Sequence, residues 1–153
     1  MKHAAIFLCV VALLAASPLA AQVSDETILT YDVVKNERKD LAMEALDITA
    51  EQMKAVSPIY DEYLTELEAL AGKRVALMNR FLSSYKALED AAAEQMIDEM
   101  IDLDQAKLDL RKYYTRRFLD VLPARKVVRL WQIENKLDTV LNTQLVKDIP
   151  LAH

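Results

Sequence analysis

The densest group of reactive side chains is acidic: Asp90 to Asp104 carries six carboxylates and no base, among them Glu94, Asp98, Glu99, Asp102 and Asp104. Carboxylates in a helical chain invite a di-iron site, which needs glutamates from two helices and a Glu-x-x-His from each of two others. The two histidines are His3 and His153, far from those acids in sequence. Without imidazole or thiolate company the run reads as a solvated acidic face, with weak divalent-ion contact as the alternative. Nucleophilic catalysis fares no better, because without an interior histidine Ser57, Ser83 and Ser84 have no obvious activator, and Cys9 lies in the N-terminal apolar run. Paired carboxylates could still exchange protons, yet no polar cluster interrupts the apolar stripes to form a pocket. The expectation is no catalytic residue, no metal, no cofactor and no enzyme activity.

A second group suits binding rather than reaction. Arg111, Lys112, Arg116, Arg117, Arg125, Lys126 and Arg129 are interleaved with Tyr113, Tyr114, Phe118 and Trp131. Such a mix grips another protein through cation–π and charge contacts. It also describes a core helix whose aromatics point inward while its bases snorkel outward. On the first reading the candidate partner-binding residues are Arg111, Tyr114, Arg117 and Phe118. Met43, Met53, Met78, Met96 and Met100 offer the same choice, with core filling preferred over an adaptable contact surface. In Arg129 to Leu137, Gln132, Asn135 and Lys136 take neighbouring positions of one helix face, which either contacts a partner helix or is an ordinary surface with Glu134 or Arg129 making an inter-helix salt bridge.

Long helices must position these groups. Gly72 is the only glycine, strand-like alternation is missing, and Ala, Leu, Glu, Lys and Met dominate. A first helix is predicted from about Asp25 to Ala45, capped by Ser24, with a thin stripe of Ile28, Tyr31 or Asp32, Lys35, Lys39 and Ala42. A second opens on a capping box, Thr49 with Gln52. From Met53 its stripe runs through Val56, Tyr60, Tyr63, Leu67, Leu70, Leu77, Phe81 and Tyr85 to Leu88, with Arg74 filling one step. At ~1.5 Å per residue, about 36 residues give a helix of roughly 54 Å. Pro58 either kinks this helix or opens a new one capped by Ser57, and one kinked helix is the expectation.

A third helix, about Asp90 to Leu122, aligns Ala93, Met96, Met100, Leu103, Leu110, Tyr114, Phe118 and Val121, with Lys107 filling a step. Pro123 opens a fourth, on which Val127, Leu130 or Trp131, Glu134, Leu137, Leu141 and Leu145 keep the period until Asp148. The fold class is therefore all-α: a long antiparallel helical hairpin with flanking N- and C-terminal helices.

Ahead of these elements, residues 1–21 read as a cleavable secretory signal. Lys2 and His3 give a basic start, Ala4 to Ala16 an apolar run, and Ser17 to Ala21 a small-residue end. About thirteen apolar residues fall short of the roughly 20 that cross a bilayer, so no stable membrane insertion is expected. Cleavage removes Cys9 and leaves residues 22–153 as a single domain without a disulfide. Removing Lys2 from 19 basic residues leaves 18 against 24 acidic ones, a formal charge of about −6 that disfavours nucleic acid. The balance is uneven, for Lys107 to Arg129 carries eight bases against Asp109 and Asp120.

Together with this signal and four helices, Ile48-Thr49-Ala50-Glu51-Gln52 resembles the motif of the LTXXQ proteins, the Spy/CpxP family of periplasmic stress proteins. Ile48 stands where the motif has leucine, and the place of a second copy is taken by Leu122-Pro123-Ala124-Arg125-Lys126. The chain is also similar to uncharacterised exported members of that type through Pro58-Ile59-Tyr60-Asp61-Glu62-Tyr63, Val121 to Lys126 and Gln132-Ile133-Glu134-Asn135-Lys136-Leu137. The resemblance implies a cradle-like homodimer in the periplasm, acting as an ATP-independent chaperone or an inhibitory sensor in envelope stress. Metal-responsive relatives use histidines, and beyond the leader this chain has His153 alone. Two functions follow as expectations: holding unfolded or partner polypeptides on an amphipathic helical surface, or serving one dedicated envelope protein as a regulatory or structural partner.

Overall fold

The computed structural model describes residues 25–147 and 149–152. The expected leader with Cys9, and His153, lie outside them. Every regular element among the described residues is helical: α1 Asp25–Leu46, α2 Ala50–Ser84, α3 Asp90–Val121 and α4 Ala124–Val146. None of these helices is long and apolar enough to cross a membrane.

Local chemistry sets the boundaries. At the start of α2, Gln52 N–H donates to Thr49 Oγ1 at 3.2 Å while Thr49 N–H donates to Gln52 Oε1 at 3.1 Å. Two otherwise orphaned donors are thereby satisfied. The helix then passes unbroken through Pro58, which sits on its exposed side. It ends at Ser84 rather than at the expected Leu88. The hydroxyls of Ser83 and Ser84 both donate to the Arg80 carbonyl, at 2.7 and 3.0 Å. Side-chain bonds of this kind offer the backbone an alternative to the helical ladder, and Tyr85–Ala87 tightens into a 3₁₀ turn. α1 stops where Asp47 adopts a left-handed φ of 52°. Its last carbonyls are covered from α4, since Lys126 donates to Leu46 O at 3.2 Å and Arg129 to Ala45 O at 2.7 Å. Cations at a helix C-terminus also complement its dipole.

Cross-helix pairs fix the directions. Glu62 meets Arg117, Glu66 meets Tyr114, Arg74 meets Asp104 and Arg80 meets Glu99, so α2 and α3 run side by side in opposite senses. α1 and α4 also oppose each other, with Ala45 by Arg129 and Arg38 by Glu134. This second pair covers only part of the first. Val56, Tyr60, Tyr63 and Leu67 of α2, Leu110, Tyr114 and Phe118 of α3, Ala42, Met43 and Leu46 of α1, and Val127 and Leu130 of α4 form one buried cluster. Beyond Leu67 on α2, and before Leu110 on α3, no residue of either helix is fully buried.

Candidate functional site

Where the four helices meet, the core contains charge. Glu134 is 1 % exposed, and Arg38 beside it is 5 % exposed. The Glu134 carboxylate accepts from Arg38 Nη2 at 2.6 Å and Nε at 3.3 Å, from Tyr60 Oη at 2.5 Å and from Tyr63 Oη at 2.9 Å. Four donors for two oxygens satisfy the group, which is the condition for tolerating a buried carboxylate. Arg38 Nη2 also donates to Asp138 at 2.8 Å, and Lys107 Nζ donates to the other oxygen of Asp138 at 2.7 Å. One connected network thus ties α1, α2, α3 and α4 together.

The environment fixes the protonation of these groups. Burial pushes the Tyr60 and Tyr63 hydroxyls far above the ordinary phenol value, and the Glu134 charge pushes them further. They therefore remain donors. Burial would raise the Asp138 carboxyl, but the Lys107 hydrogen bond and the Arg38 charge outweigh it and hold the group below the usual aspartate value. Around the network the rings of Tyr63, Tyr114, Phe118 and Trp131 pack edge to face, with centroids 5.5–6.4 Å apart. This arrangement orients the helices relative to one another.

An opening lies beside it. An apolar groove of about 880 Å³ runs between the far halves of α2 and α3, the middle of α1 and the C-terminal end of α4. Leu70, Met78 and Phe81 line it from α2, Met96, Met100 and Leu103 from α3, and Leu141 and Leu145 from α4. Arg38, Lys107 and Asp138 belong to its wall as well, so the buried network forms the end at which the groove meets the core. The lining is largely apolar, interrupted by Arg38, Glu68, Arg74, Asp104, Lys107 and Asp138. Among the described residues, no group of three His, Cys, Asp or Glu side chains could hold a metal ion.

The four candidate partner-binding residues fall elsewhere, and two of them are not on a surface. Tyr114 is 1 % and Phe118 0 % exposed, both inside the core cluster. The reason is physical: they occupy the inward stripe of α3, and α4 closes over it at Trp131. Arg111 lies over the Trp131 ring, 4.5 Å from its centroid, and donates to Asn135 Oδ1 at 2.8 Å. Arg117 pairs with Glu62 and sits 5.4 Å from the Tyr114 centroid. Both arginines are thus engaged within the chain. The methionines divide instead, with Met43 in the core and Met78, Met96 and Met100 in the groove.

The sequence marked part of this site without naming it. Arg74, Lys107 and Glu134 each fill an apolar step of their helix, and each pairs across helices. Arg38 and Asp138 carried no such signal. No protein family, curated protein or solved structure matches the chain.

Proposed function

We propose that this chain is a periplasmic, ATP-independent chaperone-like protein that holds apolar segments of unfolded or partner polypeptides in the groove between α2, α3 and α4. The observation that carries the reading is the groove itself: about 880 Å³, lined mainly by apolar side chains and open among the described residues. Apolar concavities of several hundred cubic ångströms are the usual form of a binding site. Methionine side chains, flexible and polarizable, adapt such a lining to many sequences. The resemblance carried by Ile48 to Gln52 and by the leader at 1–21 supports export to the periplasm and a cradle-like homodimer built from antiparallel hairpins. The reading includes no enzyme activity, nucleotide, cofactor or metal.

The test is suppression of light scattering when an unrelated denatured protein is diluted into buffer with the chain and without ATP. Dose-dependent suppression is expected, and it should be abolished by Met78→Asp combined with Met100→Asp, which places charge on both walls of the groove. Absence of suppression by a folded, helical sample would overturn general chaperoning. A single stoichiometric partner captured from envelope extract would then favour the dedicated-partner function.

A further inference from the structure

The groove is not the only apolar surface that α3 leaves uncovered. Ile97, Ile101, Leu108 and Leu119 are each between 46 and 56 % exposed. At about 100° per residue, these four side chains fall within an arc of roughly 40°, some 120° around the helix from Leu110, Tyr114 and Phe118. They form a seam ~33 Å long at about 1.5 Å per residue, continuous at its N-terminal end with the groove, whose lining includes Ile97. Its flanks are charged in opposite senses: Glu94 and Asp98 border the N-terminal half, Lys112 and Arg116 the C-terminal half. Asp98 and Arg116 are both exposed, and neither side chain is paired with another described residue.

A parallel copy of this helix would set acid against acid along the seam. An antiparallel copy does the reverse. With a two-fold axis beside Leu108, Ile97 faces the second copy's Leu119, and Asp98 lies within about 3 Å, along the axis, of the second copy's Arg116 at ~1.5 Å rise per residue. A two-fold operation repeats every such contact once more. We propose that the outer face of α3 is a self-association seam on which two copies of this chain pack antiparallel, held in register by Asp98 and Arg116. The inference adds the contacting face to the homodimer of the preceding reading.

A strip of that length and about 10–12 Å wide, one helix diameter, covers on the order of 350 Å² per copy. This is less than half of the roughly 800 Å² per partner of a standard interface. A reversible dimer with a dissociation constant in the micromolar range is expected.

Sedimentation equilibrium over a concentration series tests the seam. Asp98→Arg and Arg116→Asp each set like charges against one another and should weaken the dimer about 10-fold or more. The double variant restores opposite charges and should return to within about threefold of the parent. A parent that stays monomeric at about 100 μM, far above a micromolar constant, overturns the proposal. Single variants that dimerise like the parent, or a double variant no better than the singles, do the same. Met78→Asp with Met100→Asp lies outside the seam and should leave the mass unchanged, so failure of the groove shows only in scattering and failure of the seam only in mass.

Discussion

The two halves of the α2–α3 pair share a helical period and differ in what covers them. In the half from Val56 to Leu67 and from Leu110 to Phe118, α1 and α4 add a second layer, and seven side chains of α2 and α3 are buried. In the other half, Leu70, Met78, Phe81, Met96 and Leu103 continue the same spacing but stay half-exposed around the groove. Charge follows the same division. Ion pairs of the uncovered half, Arg74 with Asp104 and Arg80 with Glu99, lie open to solvent. The covered half also keeps exposed pairs, Arg117 with Glu62 and Lys39 with Asp61, but it alone has a pair drawn into the core, where Glu134 and Arg38 hold four helices at one point. A three-four stripe thus identifies a face, while the presence of a covering layer decides whether that face becomes core or a binding surface.

The comparison is broken most severely at Glu134. Replacing it by alanine leaves the Tyr60 and Tyr63 hydroxyls buried without their acceptor and the Arg38 guanidinium with Asp138 alone. Losing one member of a buried pair costs about 3–5 kcal/mol, and urea denaturation should show a midpoint lowered accordingly, with α1 and α4 losing amide-exchange protection first. A drop under 1 kcal/mol would mean that the junction is not what holds the second layer.

Phenylalanine occurs in both halves, which permits a matched test. Phe118→Ala empties a fully buried site and should cost about 3–5 kcal/mol. Phe81→Ala, on the half-exposed groove wall, should cost less than half as much and yet weaken suppression of scattering. Equal losses at the two positions would remove the distinction between core and groove.

Acid offers a gentler perturbation of the same junction. Since Asp138 is held below its ordinary value in the folded chain, its contribution is fully present above the unfolded aspartate value of about 3.9. It is lost as pH falls through the lower folded value. Urea midpoints should therefore decline below about pH 4, in a step that Asp138→Asn removes while lowering stability at neutral pH. A parent and an Asp138→Asn variant with parallel pH profiles would show that Asp138 is not linked to folding.

Much of the fold was legible because helix signals are local. The Thr49–Gln52 box, the stripe from Asp90 to Val121 and the break at Pro123 are all written in neighbouring residues. The end of α2 was not, because Ser83 and Ser84 turn their hydroxyls back onto Arg80 within an otherwise continuous stripe. The candidate site was legible only in outline. Glu134 and Lys107 interrupt apolar stripes, which signals a partner across the interface, but Arg38 and Asp138 could not be paired with them before the helices were placed. Tyr114 and Phe118 show the converse. Their spacing put them on the inward stripe, and only the packing of α4 distinguishes a covered aromatic from one that meets another protein.

The smallest expected effect bears most directly on whether the two halves behave as separate units. Gly72 lies inside α2, just beyond the buried stretch, exposed, and a Cβ built there meets nothing within 4 Å. Its φ is not in the left-handed region, so alanine fits the existing backbone. Gly72→Ala should then stabilise α2 by about 0.5–1 kcal/mol, mainly by reducing the freedom of the unfolded chain. Where that gain appears distinguishes two kinds of molecule. If the groove half opens on its own, amides from Leu70 to Phe81 should gain protection while those from Val56 to Leu67 do not change. If the chain unfolds as one unit, both sets should slow together by the same factor, and the groove would be a feature of shape alone, without independent mobility.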